Sequence, residues 1–409
     1  MRVIISPMNI FFPHGLKWMA MALVVLAACT LPAREADFSK VKTILVDAVK
    51  DGAFPGCAVA VGSSRGSYWQ GGFGKLARDS RTAKKLSLST GSKPGGRTIY
   101  DLASLTKVIG TTSAITALVQ KGKLSLKDKV ADHLPGFAPS TLDNKSLSRR
   151  KKVTVRHLLL HTSGLPAWKP LYRTCNSYRK LLTAILPTPL EAEPGSKYRY
   201  SDLGFILLGE IAARAGGKPL AKLEKELVFD PLGMKDTRRN PPSYLRRRIP
   251  PTEFDVTAGK YVHGRVHDEN ARAGGGITGH AGLFSTTSDL SLLARELLLA
   301  LKGKSGKLDK HTIETFVRCQ DSPSGSSRAL GWDTASKESS AGKLASKTSF
   351  GHTGFTGTSI WIDPQRDLYI ILLSNRVHPT RKNRKITELR RKFSDAVLAA
   401  IDSREKKSR

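Results

Sequence analysis

The sequence predicts an α+β protein: one antiparallel sheet drawn from both ends of the chain, with a mainly helical region between. Three observations carry this. Near the N-terminus "GCAVAVGSS" and "GSYWQGGFG" read as two strands around a turn near residues 64–66. Near the C-terminus "GTSIWIDP" and "DLYIILLSN" read as two more, turning at 363–366. The segments between them carry helical periodicity, and strands grouped at the ends do not fit a strictly alternating parallel sheet. The 409 residues are 40% hydrophobic and 25% charged, a globular composition that can bury a substantial core.

At the N-terminus, Lys17 precedes an apolar run over residues 18–28, too short to span a bilayer but suited to a signal-peptide core. It ends in Leu26-Ala27-Ala28-Cys29, which resembles a bacterial lipobox, a plain secretory signal being the alternative. The expectation is a signal over 1–28, lipidation of Cys29, a tether over 29–38, a single folded domain over 39–402 and a basic tail over 403–409. Acylated Cys29 would anchor the protein on the periplasmic side of a bacterial envelope without spanning it, and Thr30 favours an outer membrane if one exists. Three cysteines then remain, Cys57, Cys175 and Cys319, enough for one bridge of unspecified pairing.

Residues 38–49 have helical spacing, with Val41, Ile44, Leu45 and Val49 on one side. After the first hairpin, 75–97 reads as an exposed loop, 104–121 as a long helix closed at Gly122, and 136–152 as a second loop. "TVRHLLLHTSGLP" is a short helix stopped by Gly164 and Pro166. "SDLGFILLGEIAARAGG" is a stronger one, capped by Ser201 or Asp202 and stopped at Gly216-Gly217. Residues 236–275 are loop-rich, and 289–301 form a helix capped by Ser288 or Asp289. A last basic helix over 383–401 should lay Ile386, Leu389, Phe393, Val397 and Ile401 on the sheet built from 55–75 and 330–402.

Sixty-seven basic against 34 acidic residues give a net charge of +33. The basic runs at 149–152, 246–248, 381–385 and 390–392 accompany no nucleic-acid motif, so nucleic acid is excluded as a partner, and solvated faces or attraction to anionic envelope polymers are expected. No Cys/His cluster has zinc-ligand spacing, and no metal or cofactor is expected.

Chemistry enters at "DLASLTK". Ser104 and Lys107 stand three apart, so on a helix they share a face. A serine hydroxyl is a poor nucleophile until a base takes its proton, and lysine serves only if its own proton is lost. At a helix start the Ser104 N–H also lacks an intrahelical partner and can serve an oxyanion. Tyr200 directly precedes a helix start and can relay protons. His352-Thr353-Gly354 opens a strand where glycine permits close backbone approach.

In this order the three pieces resemble the Ser-x-x-Lys, Tyr-x-Asn and Lys-Thr-Gly series of the penicillin-recognising serine hydrolases. The branch resembled is that of class C β-lactamases, esterases and DD-peptidases, including a periplasmic esterase and penicillin-binding type, to which "VHDENA" and "GHAGLFST" point. The resemblance covers roughly residues 40–400. It implies a β-lactamase/transpeptidase-like fold, Ser104 as nucleophile, Lys107 and Tyr200 as its base and proton relay, the backbone N–H groups of Ser104 and Phe355 as oxyanion hole, and His352, Thr353 and Gly354 as substrate contacts. Two departures stand out. Asp202 replaces the usual asparagine and should keep Lys107 charged. His352 replaces lysine and is a weaker cation toward a carboxylate. His280 is expected to be structural rather than pocket-lining, His161 a cap or core partner, and Cys57 core.

The expected function is a membrane-anchored serine hydrolase acting on D-alanine-type wall peptides or on small esters and amides. The alternatives are a β-lactamase, or a non-catalytic envelope-binding lipoprotein on the same scaffold.

Overall fold

Val41, Leu45 and Ala48 recur at helical spacing, and the first helix spans Ser39–Lys50 with these three buried. The computed structural model describes residues 36–88 and 93–408, so the signal segment, Cys29 and the first part of the tether lie outside the described residues. Six strands form the main sheet: β1 (Gly56–Ser63), β2 (Gly66–Gly74), β3 (Asp333–Thr334), β4 (Phe350–Gly354), β5 (Thr358–Asp363) and β6 (Leu368–Ser374). They lie in the order β2-β1-β6-β5-β4-β3, each pair antiparallel. The first and last strands are therefore neighbours, with Cys57 opposite Ser374 and Gly62 opposite Tyr369.

Both faces of this sheet are covered, which is why β1 and β6 read as continuous apolar runs. Alternation sends Cys57, Val59, Val61, Leu368, Ile370 and Leu372 to one face, against Val41 and Leu45 and against Phe393, Val397 and Ile401 of the final helix (Ile386–Ser408). Ala58, Ala60, Ile371 and Leu373 face the other way, into the core shared with the helical region. That region is built on Ser113–Gln120, Asp202–Gly216 and Thr287–Leu301. A small three-stranded sheet of Tyr100–Asp101, Leu283–Ser285 and Arg238–Arg239 ties it together.

Several boundaries differ from expectation. The expected 104–121 helix begins as a turn at Ser104, is α-helical at Leu105 and Thr106, runs as a π-helix over Lys107–Thr112, and continues as α-helix from Ser113. The helix expected to start at 289 begins at Thr287, because the Thr286 hydroxyl, not Ser288 or Asp289, caps it by accepting from Asp289 N. The two expected loops each contain a short helix, Ser80–Lys85 and Asn144–Lys151, capped by Asp79 and Asp143. These polar helices lack an apolar stripe, so periodicity cannot reveal them. Within the second, Arg150 is buried and donates to the carbonyls of Phe137, Leu186 and Thr188. Among the described residues Cys57 and Cys175 are buried, Cys319 is exposed, and all three thiols are free.

Candidate active site

The nucleophile candidate sits just after a strained residue. Ala103 has φ +46°, left-handed backbone that a non-glycine residue enters only when its surroundings enforce it. The buried Asp101 carboxylate does so, accepting from Ala103 N at 2.9 Å and from His267 N at 2.6 Å. The chain then turns into the Lys107 helix with Ser104 at its mouth.

Lys107 is fully buried. Its ammonium donates to Ser104 Oγ at 3.1 Å and to the His280 carbonyl at 3.2 Å, and lies 2.7 Å from Asp202 Oδ1. Burial presses the ammonium toward losing its proton, but the Asp202 carboxylate and the Tyr200 phenol outweigh it and hold the group above the ordinary lysine range. Lys107 is therefore a fixed cation, as the aspartate in place of asparagine foreshadowed.

Asp202 and Tyr200 are set by one helix start. The Ser201 hydroxyl caps Asp202–Gly216 by accepting from Gly204 N at 3.2 Å, and donates to the Pro166 carbonyl at 2.7 Å. His161, itself at φ +57°, accepts from Ser201 N through Nδ1 at 3.0 Å and lays its ring 4.4 Å from that of Tyr200. Burial pushes His161 well below the ordinary histidine range, so it is a neutral positioning group. Tyr200 faces the centre, its ring centroid 4.9 Å from Lys107 Nζ and 5.5 Å from the Arg328 guanidinium.

A third wall comes from β4 and its turn. His352 is buried, and burial pushes its imidazole well below the ordinary range. Its Nδ1–H donates to the Thr353 carbonyl at 2.8 Å, which leaves Nε2 as a bare acceptor without a partner among the described residues. Gly354 is a place where only glycine fits, since an added Cβ would lie 2.3 Å from the Leu102 carbonyl oxygen. Two hydroxyls clamp this turn to the residues before the nucleophile: Thr356 donates to Asp101 O at 2.7 Å and Thr358 to Leu102 O at 3.0 Å. Neither the Ser104 N–H nor the Phe355 N–H meets a protein acceptor among the described residues. Ser104, Tyr200, His352, Thr353 and Gly354 line one cleft of about 580 Å³, whose outer wall includes Phe355, Arg376 and Arg390.

Asp268 was not singled out by the sequence, although it lies within "VHDENA". Asp202, Asp268 and His280 each offer one ligand atom within 4.8 Å of the others. Here Lys107 supplies the positive charge to Asp202, and His280 bonds Asp268 at 2.9 Å. Burial pushes Asp268 up, but His280 and the N–H of Ala271 outweigh it and hold the carboxyl below the ordinary range. His280 is thus a structural partner beneath the site, with its carbonyl on Lys107. His267 pairs with Glu253 at 3.0 Å and stacks 5.7 Å from Phe355. Arg328 and Arg390 gave no sequence signal beyond charge.

Comparison with known proteins agrees with this architecture. A family model described as Beta-lactamase matches residues 41–394. A "Putative D-alanyl-D-alanine carboxypeptidase" of Salmonella enteritidis PT4 is 36% identical over 317 residues, covering 71% of this chain and 72% of the relative. Its counterpart in Salmonella typhi is 36% identical over 315 residues, with the same coverage. Among solved structures, EstCE1, described as a hydrolase with promiscuous acyltransferase activity, superposes with a TM-score of 0.68 at 22% identity over 88% of this chain and 97% of its own. The octameric penicillin-binding protein homologue from Pyrococcus abyssi gives 0.67 at 21% identity over 89% and 77%. At these identities the structural likenesses speak for the fold.

Proposed function

Because the chain belongs to the Beta-lactamase family and is a serine hydrolase, we propose that it cleaves D-alanine-terminated wall peptides or small esters and amides through an acyl-enzyme on Ser104. The observation that carries this reading is the buried Lys107 ammonium held between Ser104 Oγ and Asp202. A permanently charged lysine cannot take the serine proton, so Tyr200 is the base. Tyr200 accepts that proton as a phenolate and becomes a neutral phenol, while the Lys107 ammonium stabilises the phenolate beforehand and aligns the Ser104 oxygen. Ser104 Oγ bonds the substrate carbonyl carbon, the carbonyl oxygen becomes an oxyanion on the Ser104 and Phe355 N–H groups, and Tyr200 returns the proton to the leaving alcohol or amine. Water, deprotonated by Tyr200, then attacks the acyl carbonyl, and Tyr200 passes that proton to Ser104 Oγ as the acid is released.

The D-alanyl peptide reading is supported by the relatives' names, and the ester reading by the open cleft. His352, whose one N–H is committed to Thr353, offers no cation to a carboxylate, which weighs against β-lactams and D-alanyl peptides alike, since both carry one, and favours small esters within this reading. We further propose that Cys29 is lipidated and tethers the enzyme to a bacterial envelope membrane, and that the net charge of +33 draws it to anionic wall polymers.

The test is hydrolysis of p-nitrophenyl acetate and of a D-Ala-D-Ala peptide, with fluorophosphonate labelling. Activity and label should both vanish in Ser104→Ala. Label that survives this substitution would refute Ser104 as nucleophile. Salt-sensitive polymer binding with no hydrolysis by wild type would favour the non-catalytic reading.

A further inference from the structure

The final helix sends one arginine into the site from nearly 300 residues downstream of the nucleophile. Arg390 Nη2 donates at 2.7 Å to the Gly354 carbonyl and at 2.7 Å to the Thr358 carbonyl. The Gly354 C=O and the Phe355 N–H belong to one planar, conjugated peptide unit. The N–H assigned to the oxyanion is thus the opposite end of the amide that the guanidinium grips. Arg376 adds to this from β6's end, donating through Nε to the Phe355 carbonyl at 2.8 Å and stacking its guanidinium 4.4 Å from the Phe355 ring.

We propose that Arg390 is a positioning residue for hydrolysis, polarising the Gly354–Phe355 peptide so that its N–H becomes a stronger oxyanion donor. This rests on the acyl-enzyme reading above and identifies what tunes its oxyanion hole. A charged donor on a peptide oxygen draws electron density from the nitrogen end, and hydrogen bonds in a chain strengthen one another where water is excluded. A merely structural staple between helix and hairpin would not need a charge. Even partial burial of an uncompensated cation is costly, and a neutral donor would hold the same carbonyls. Arg390 nevertheless makes no ion pair among the described residues: its side chain is half-buried in the cleft wall, its Nε is enclosed without a partner, and the charge acting on it is another cation, Arg376. Burial pushes the guanidinium down to about 9, which still leaves it charged at neutral pH. A net positive field therefore persists behind the amide at the place where substrate charge develops.

The test compares Arg390→Met, which removes charge but keeps length, with Arg390→Lys, which keeps charge. Two readouts are used: hydrolysis of p-nitrophenyl acetate, and affinity for phenylboronic acid. In the second, Ser104 Oγ bonds boron as its proton leaves to Tyr200 or solvent, and a boron hydroxyl oxygen of the resulting tetrahedral anion occupies the oxyanion position. In Arg390→Met, kcat should fall about tenfold or more with KM within about twofold, and boronate affinity should fall in parallel. Arg390→Lys should recover most of both. Arg391→Met, one residue on and bonded to Glu338 outside the cleft, should leave both unchanged. A folded Arg390→Met with wild-type kcat and boronate affinity would overturn the proposal, as would equal damage in Arg390→Lys. Should Arg390→Met not fold, Arg390→Gln against Arg390→Lys carries the same contrast. Wild type that binds boronate without turning over the ester refutes the hydrolase reading while the affinities still decide the role of Arg390. Wild type that binds neither refutes both.

Discussion

A fully buried lysine ordinarily sheds its proton, because low polarity penalises the ammonium. Lys107 keeps its proton because Asp202 lies 2.7 Å away. In Asp202→Asn burial should prevail, and a new ionisation should enter the pH dependence of kcat/KM between about pH 6 and 9, since buried lysines can titrate that low. An unchanged profile would mean that Asp202 does not hold the proton. Tyr200→Phe keeps the ring against His161 and Lys107 but removes the transferable proton, so kcat should drop by about 100- to 10,000-fold with the melting temperature nearly unchanged. This much was legible in the sequence: Ser104, Lys107, Tyr200 and Asp202 stand in short local patterns, and their side chains do converge. Asp268, Arg328 and Arg390 were not legible, because a charged residue's use depends on what the fold brings beside it, and neither its own neighbours in sequence nor its helical face discloses a partner hundreds of residues away.

At the scale of elements, the turn after β4 depends on close backbone approach. Gly354→Ala would place a methyl carbon 2.1 Å from Thr358 Oγ1 and 2.3 Å from Leu102 O, so the turn must move away from the nucleophile. The expected cost is about 1–3 kcal/mol in chemical denaturation and a loss of kcat larger than that stability change explains. The final helix rests on its apolar stripe, and Phe393→Ala should cost about 3–5 kcal/mol, read as a lowered denaturation midpoint. Legibility follows the same physics here. Helices with an apolar face, such as Asp202–Gly216, announce themselves by period. The polar Asn144–Lys151 helix does not, and Arg150 inside it reads with its basic neighbours as a solvated run, whereas its guanidinium satisfies the carbonyls of Phe137, Leu186 and Thr188.

For the molecule as a whole, pH should tune stability through histidines buried in neutral form. Burial holds His161 and His352 well below the ordinary range and pushes His378 down to about 4. Their contribution is fully present above the unfolded value of about 6.5 and is lost as pH falls toward the folded values, at up to about 1.4 kcal/mol per pH unit for each group. The melting temperature should therefore fall steadily between about pH 7 and pH 5, and less steeply in His378→Gln; a flat curve for wild type would contradict the buried neutral state. The adjacency of β1 and β6 has a different kind of consequence. The strand made first waits, unpaired along one side, for a partner encoded more than 300 residues later, and the cleft cannot close until that partner arrives. A ribosome that stalls short of it yields no feeble hydrolase, only a sticky fragment, so any turnover detected in a cell certifies that translation passed Ser374.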